Sequence, residues 1–163
     1  GHYADRTGLD LVFLRIGLIY GPLYLRENRM ITRMIKAGMT GTPFDATGIP
    51  EGEPHAEDTM DAVYGRDCGR AIQLLTMADK LPHRAYNIGS GRPIRNVEFA
   101  NAVKEVYPNA EIALKPGHRP FGRENSYMEM TRIKNDVGYV PQYDVNRGVA
   151  EWIDWLKGHP SGQ

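Results

Sequence analysis

Three stretches of this chain combine residue types and spacings that could do chemistry. In the first, Gly89-Ser90-Gly91 follows an apolar stretch and precedes a helical pattern, with the acidic Glu111 about twenty positions on, an order that imitates a dinucleotide-binding turn. There, glycines would let the backbone approach a pyrophosphate. Yet the third glycine is missing, Ile94 stands in its place, and Pro93 interrupts the approach to the helix. Glu111 also opens its apolar stretch instead of closing it. The expectation is a tight strand-to-helix turn that needs glycine for its backbone. Ser90 has no histidine nearby and no nucleophile-elbow context, which leaves a hydrolase unsupported. The second stretch gathers Glu51, Glu53, Glu57 and Asp58 around His55. Paired carboxylates can move protons, but a loop cluster of this kind is expected to be solvated. The third, Ile16 to Tyr20, ends an apolar run at Gly21-Pro22. In an open α/β sheet the ligand crevice lies beyond such strand ends; a plain Gly-Pro turn is the competing reading.

Composition narrows the field. The 163 residues fit one domain with a sizeable core, expected to span 1–163. Net charge is zero, so no bulk attraction to nucleic acid or anionic lipid is expected. No apolar run is long enough to span a bilayer, and no signal peptide is read. Cys68 is the single cysteine. It excludes an intramolecular disulfide and fits a reducing cytoplasm. The five histidines are scattered without metal-ligand spacing.

The elements that must position these residues alternate between strand and helix, which predicts an α/β fold. Leu9 to Ile16 reads as a strand buried on both faces, after a helix capped by Gly8. Met30, Ile31, Met34 and Ile35 predict a helix over 29–37 that stops at Gly38. A loop over 41–54 carries a possible short strand at 42–45. Strands are predicted at 61–64, 85–88 and 111–114. Asp67 is expected to cap a helix over 68–78 that buries Ala71, Ile72, Leu74 and Leu75. Asn96 is expected to cap a helix to Tyr107 with Phe99, Ala100, Val103 and Val106 inward. Asp144 is expected to cap the last helix, lined by Val145, Val149, Trp152, Ile153 and Leu156. Residues 117–126 read as a long loop.

The segments Leu9–Pro22, Met60–Asp67, Ala85–Gly91 and Met128–Pro141 together resemble the C-terminal half of the extended short-chain dehydrogenase/reductases, the NAD-dependent epimerase/dehydratase family. The resemblance runs from Tyr3 to Lys157. It implies a Rossmann-like fold lacking its dinucleotide-binding half, with a small mixed sheet and packed helices. That family keeps its glycine-rich loop and its Tyr-x-x-x-Lys pair upstream of this segment. Tyr3 is not that tyrosine, because Thr7 stands four positions on. By resemblance, Ile16 and Gly17 face the nicotinamide of NAD or NADP, and Leu18 and Tyr20 meet the substrate. Arg119-Pro120 resembles a segment whose arginine holds a diphosphate, a task suited to a bidentate, permanently charged guanidinium. Arg123 and His118 are close enough to assist. Two positions depart from the pattern: Leu18 replaces a sugar-contacting asparagine, and Met60 replaces a second phosphate-binding arginine, for which Arg26, Arg29 or Arg33 could substitute. Tyr64 is expected to pack.

These observations imply the substrate-binding half of a nucleotide-sugar epimerase, dehydratase or reductase. It would be inactive alone, with NAD or NADP in the intact enzyme and no cofactor expected on this chain by itself. A stand-alone binding or oligomerisation module is the alternative, as is a relative acting on a non-nucleotide sugar acid or small carbonyl compound. An apolar strand short of neighbours favours a homo-oligomer or domain-swapped dimer.

Overall fold

The computed structural model describes residues 6–24, 26–50, 52–120 and 127–159. Arg6 and Thr7 end a helix, and Gly8 follows it in the left-handed region. The chain then runs through β1 (Phe13–Ile16) and β2 (Leu18–Tyr20) to α1 (Met30–Thr40). Next come β3 (Thr59–Met60), β4 (Ala62–Tyr64), α2 (Gly65–Met77), β5 (Ala85–Ile88) and β6 (Ile94–Arg95). Helices α3 (Asn96–Val106), α4 (Thr131–Val137) and α5 (Val145–Gly158) complete the described elements. The mixed α/β class and the strand at 85–88 are as the sequence predicts.

Three two-stranded pieces carry the sheet. β1 pairs with β5 and β2 with β4, both parallel, while β3 and β6 form an antiparallel ribbon. The first strand changes partner at Gly17. Its N–H bonds the Ile88 carbonyl, whereas the next N–H, of Leu18, bonds the Asp61 carbonyl. A Cβ on residue 17 would stand 2.7 Å from that Asp61 oxygen, so glycine is required where the strands cross over.

Two cores form on either side. In the larger, α1, α3 and α5 bury Met34, Ile35, Phe99, Val103, Val149, Trp152 and Ile153 against Tyr20 and Tyr64. In the smaller, Cys68, Ala71 and Leu75 of α2 meet Tyr86, Ile88, Ile133 and Tyr139. The helical spacing read from the sequence selects these faces correctly, although Ile72 is exposed.

Several expectations are corrected. β1 is not buried on both faces: Phe13 is 53% exposed and Ile16 is exposed too. Among the described residues it has one strand neighbour, β5. Gly38 does not stop α1. The helix passes through it because Val103 and Tyr107 pack against its bare Cα, and Gly41 makes the left-handed stop. Residues 42–45 and 111–114 are not strands; the amide of Phe44 bonds the Glu111 carbonyl, but no ladder develops. Asp67 does not cap α2. It lies inside the first turn, and its buried carboxylate accepts the amides of Gln142 and Tyr143, tying α2 to the approach to α5. Asn96 is the first residue of α3, and Glu98 accepts the Arg95 amide there instead. Asp144 does cap α5, through the Arg147 amide at 2.8 Å.

Candidate functional site

A cavity of about 260 Å³ opens between β2, the start of α1, the turn at 49–54 and the β3–β6 ribbon. Leu18, Tyr20, Arg29, Met60, Asn96 and Arg119 are among its lining residues, with Asp58 beside them. Its walls are mostly apolar; charge enters from Arg29 just before α1 and from Asp58 and Arg119 beside the ribbon. That is a common plan for a small-molecule site: apolar body, few placed polar groups.

The Asp58–Arg119 end is built on the β3–β6 ribbon. Thr59 faces Arg95 and Met60 faces Ile94 across it, and the Asn96 amide donates to the Asp58 carbonyl one step further. Residues directly opposite in an antiparallel pair share a face, so Asp58, Met60, Ile94 and Asn96 lie on one side. Asp58 is 6% exposed. Its carboxylate accepts the Arg119 amide at 3.0 Å and the Arg119 Nε at 2.5 Å. Burial works to raise the Asp58 carboxyl, but the backbone and side-chain hydrogen bonds from Arg119 and its positive charge outweigh it. The group is held below the ordinary carboxylate range. A buried anion thus fixes a guanidinium whose side chain remains 40% exposed at the cavity.

The residues selected from the sequence fall into three groups. Leu18, Tyr20 and Arg119 come together at the cavity, and Met60 joins them. Tyr20, however, aims its hydroxyl at the Asp144 carbonyl, 3.5 Å away, and packs on Gly148; burial and the charges of Asp144 and Asp67 push its phenol up. It is a wall of the site, fixed by the core. Ile16 and Gly17 are not part of the cavity lining; they stand at the crossover between β1 and β2. Arg123 lies outside the described residues. Of the three substitute arginines, Arg29 lines the cavity. Arg33 instead donates to the carbonyls of Asp45 and Thr47, bracing the following loop. Tyr64 packs as expected, with its hydroxyl on Glu151 and its ring against Tyr143.

The Gly89-Ser90-Gly91 turn is structural. Asp61 accepts the Ser90 amide at 2.7 Å, the Ser90 hydroxyl at 2.8 Å and the Met128 amide at 2.8 Å. A side chain at residue 89 would collide with that carboxylate. The Ser90 amide, which a phosphate-cradling turn would need free, is therefore already engaged.

Sequence reasoning missed Asp58 and Asn96. In the sequence Asp58 reads as one of several solvated loop acids, and nothing local links it to Arg119, 61 positions away. Asn96 left a usable signal. It stands at i before Phe99, Ala100 and Val103 at i+3, i+4 and i+7, on the buried face of α3.

The geometry now has a setting among known proteins. The chain is 30% identical to Protein CapI of Staphylococcus aureus, over 94% of this chain and 49% of that protein. It is 28% identical to dTDP-glucose 4,6-dehydratase of Streptomyces griseus, over 94% of this chain and 45% of that enzyme. Its fold superposes on a mutant UDP-glucuronic acid 4-epimerase from Bacillus cereus, solved with UDP-4-deoxy-4-fluoro-glucuronic acid and NAD. There the TM-score is 0.77 at 18% identity, covering 97% of this chain and 48% of that one. This chain matches the C-terminal half of an extended short-chain dehydrogenase/reductase. No family model matches it. The chain spans about half the length of the curated relatives it matches. Among its described residues no cluster of His, Cys, Asp and Glu could hold a metal ion, and no helix is long and apolar enough to cross a membrane.

Proposed function

We propose that this chain is the substrate-binding part of an NAD-dependent nucleotide-sugar dehydratase or epimerase, and that Arg119 holds the ligand's diphosphate at the cavity. One observation carries the reading: the guanidinium is anchored by the buried Asp58 carboxylate at the mouth of a largely apolar cavity. Anchoring the arginine before the ligand arrives lowers the ordering cost of binding. The cavity walls, Leu18, Tyr20 and Met60, would contact the less polar parts of the ligand. NAD would supply the hydride chemistry when bound. The glycine turn of this chain does not fit its diphosphate, because Asp61 engages the Ser90 amide and fills the space beside Gly89. Ile16 and Gly17 are the residues offered toward a nicotinamide, and no hydride or proton step is assigned to this chain.

Thermal-shift titration tests this with UDP-glucose, dTDP-glucose, UDP-glucuronic acid and inorganic pyrophosphate. A ligand at about a hundred times its dissociation constant adds roughly 2.7 kcal/mol. The expected result is stabilisation by a nucleotide-sugar and by pyrophosphate. Arg119→Ala should weaken both about tenfold or more, as loss of a charged hydrogen-bond donor predicts. A wild-type protein indifferent to all four would sink the proposal.

The exposed apolar residues of β1 and β2 favour a second, compatible reading, that these strands are covered by further protein. Leu9, Phe13, Ile16, Leu18 and Ile19 are all exposed. Apolar strands with a single strand neighbour each among the described residues offer an edge on which another chain can pair. For the isolated chain, the expectation is a homo-oligomer in light scattering. A monomer at high micromolar concentration would contradict it.

A further inference from the structure

Among the described residues, Leu23 is the one non-glycine in the left-handed region, at φ 68°. It is also 70% exposed. A bulky side chain in that conformation costs free energy, and leaving an apolar one in water forgoes the gain of burial. The turn around it is over-determined. Gly21 lies so close to the Tyr64 ring that a Cβ there would stand 2.8 Å from it. Pro22 has a fixed φ. The Tyr24 amide donates to the Gly21 carbonyl at 3.2 Å, and the Tyr24 ring meets Trp152 edge-on. Proline followed by a positive φ is the pattern of a type II turn, whose third position suits glycine or asparagine. Leucine in that position strains the free chain and packs little against it. Outliers of this kind gather at ligand clamps and active sites.

Tyr20 and Tyr24, on either side of the turn, both line the cavity. The turn leaves the carboxyl end of β2, the side on which a ligand crevice lies in an α/β sheet. We infer that Leu23 is a specificity-determining contact that covers the carbon face of the sugar carried by the ligand. This rests on the proposed function, in which Arg119 holds the diphosphate beside the ribbon. The sugar, as the part that exchanges hydride with the nicotinamide, then points toward Ile16, Gly17 and the end of β2. Covering Leu23 supplies the apolar burial that the empty protein lacks and offsets its strain. A nucleotide without the sugar leaves the side chain exposed.

The test combines thermal unfolding with titration calorimetry on wild type, Leu23→Asn, Leu23→Gly and Arg119→Ala, using UDP-glucose, UDP and inorganic pyrophosphate. Asparagine and glycine both accept the left-handed region, so both Leu23 variants should fold. Free Leu23→Asn should melt about 2–4 °C above wild type. Leu23→Gly should gain less, because glycine also loosens the unfolded chain. Both should bind UDP-glucose about three- to tenfold more weakly and bind UDP and pyrophosphate as wild type does. A variant that is more stable yet binds worse is a signature that a merely structural leucine does not give. Leu23→Asn no more stable than wild type, unchanged UDP-glucose affinity in both variants, or an equal loss with UDP overturns the inference while the diphosphate reading stands. Unchanged binding together with a weakened oligomer in light scattering gives the side chain to a protein contact and overturns it too. Failure of the diphosphate reading looks different: wild type then binds none of the probes, or Arg119→Ala binds them all as well as wild type, and the inference falls with it.

Discussion

Asp58 and Asp61 flank β3 on the same short segment, yet the fold uses the two carboxylates in opposite ways. Asp61 is closed. Its acceptors take two amides and a hydroxyl, from Ser90 and Met128, and it fills the space that a side chain at residue 89 would need. It joins the β4 strand to the turn after β5 and to the lead into α4. Asp58 is half structural. It takes one amide from Arg119, as Asp61 does from its neighbours, but its other bond goes to a guanidinium at a cavity. A carboxylate satisfied by backbone donors stabilises the fold and has nothing left to transmit. A carboxylate satisfied by a partly exposed cation places charge where a ligand can meet it. Residue type does not separate these roles; the partner does.

The comparison is broken most severely at Gly89. An alanine there must displace the Asp61 carboxylate, which three hydrogen bonds hold in place. Gly89→Ala is expected to cost about 2–4 kcal/mol, by overpacking and by stranding buried donors. Asp61→Ala should cost a similar amount. For a protein of this size about 3 kcal/mol lowers the melting temperature by roughly 6–12 °C. Calorimetry checks both variants. A Gly89→Ala protein as stable as wild type would show that the turn yields and that Asp61 is not its clamp.

How far the sequence reveals these roles depends on how local they are. The 85–88 strand, the Asp144 cap and the buried faces of α3 and α5 follow from periodicity and capping within a few residues. The turn reading of Gly89-Ser90-Gly91 was legible too, from the missing third glycine. What the sequence could not show is long-range. Asp67 serves amides 75 and 76 positions away, and a capping residue and a remote anchor look identical in one dimension. The same distance problem hid the Asp58–Arg119 pair. β1 misled for a different reason. Its apolar run states that both faces prefer cover, whereas exposure is set by which neighbours are present. The cavity residues Leu18, Tyr20 and Arg119 follow from the resemblance, and the buried position of Asn96 follows from its helical spacing.

Asp58→Asn sharpens the comparison at the open carboxylate. The amide can still accept one bond from Arg119, but the charge that fixes the guanidinium is gone. A stability loss of about 1–2 kcal/mol is expected, smaller than at Asp61 because Arg119 keeps access to water. Pyrophosphate affinity should fall several-fold as Arg119 loses its anchor, by loss of preorganisation. Asp61→Asn, if folded, should leave that affinity unchanged. Equal binding effects at the two positions would erase the distinction drawn here.

The smallest effect is in the pH dependence, and its sign follows from the direction of the Asp58 shift. Its carboxyl is held below the ordinary value by Arg119 against the opposing effect of burial. A native value below the unfolded one means that the unfolded state binds the proton more readily. The stabilisation is therefore complete above about pH 4, the unfolded range for aspartate, and drains away as the pH falls through the native value. Arg119, His118 and His55 are the ionisable groups that face this carboxylate. Denaturant unfolding at a series of pH values should give a constant wild-type advantage over Asp58→Asn from pH 7 down to about pH 5. The advantage should then shrink below about pH 4. A gap that instead widens on acidification would mean that the carboxyl is raised, with burial outweighing Arg119, and Asp58 could not then be the anion that holds the guanidinium in place.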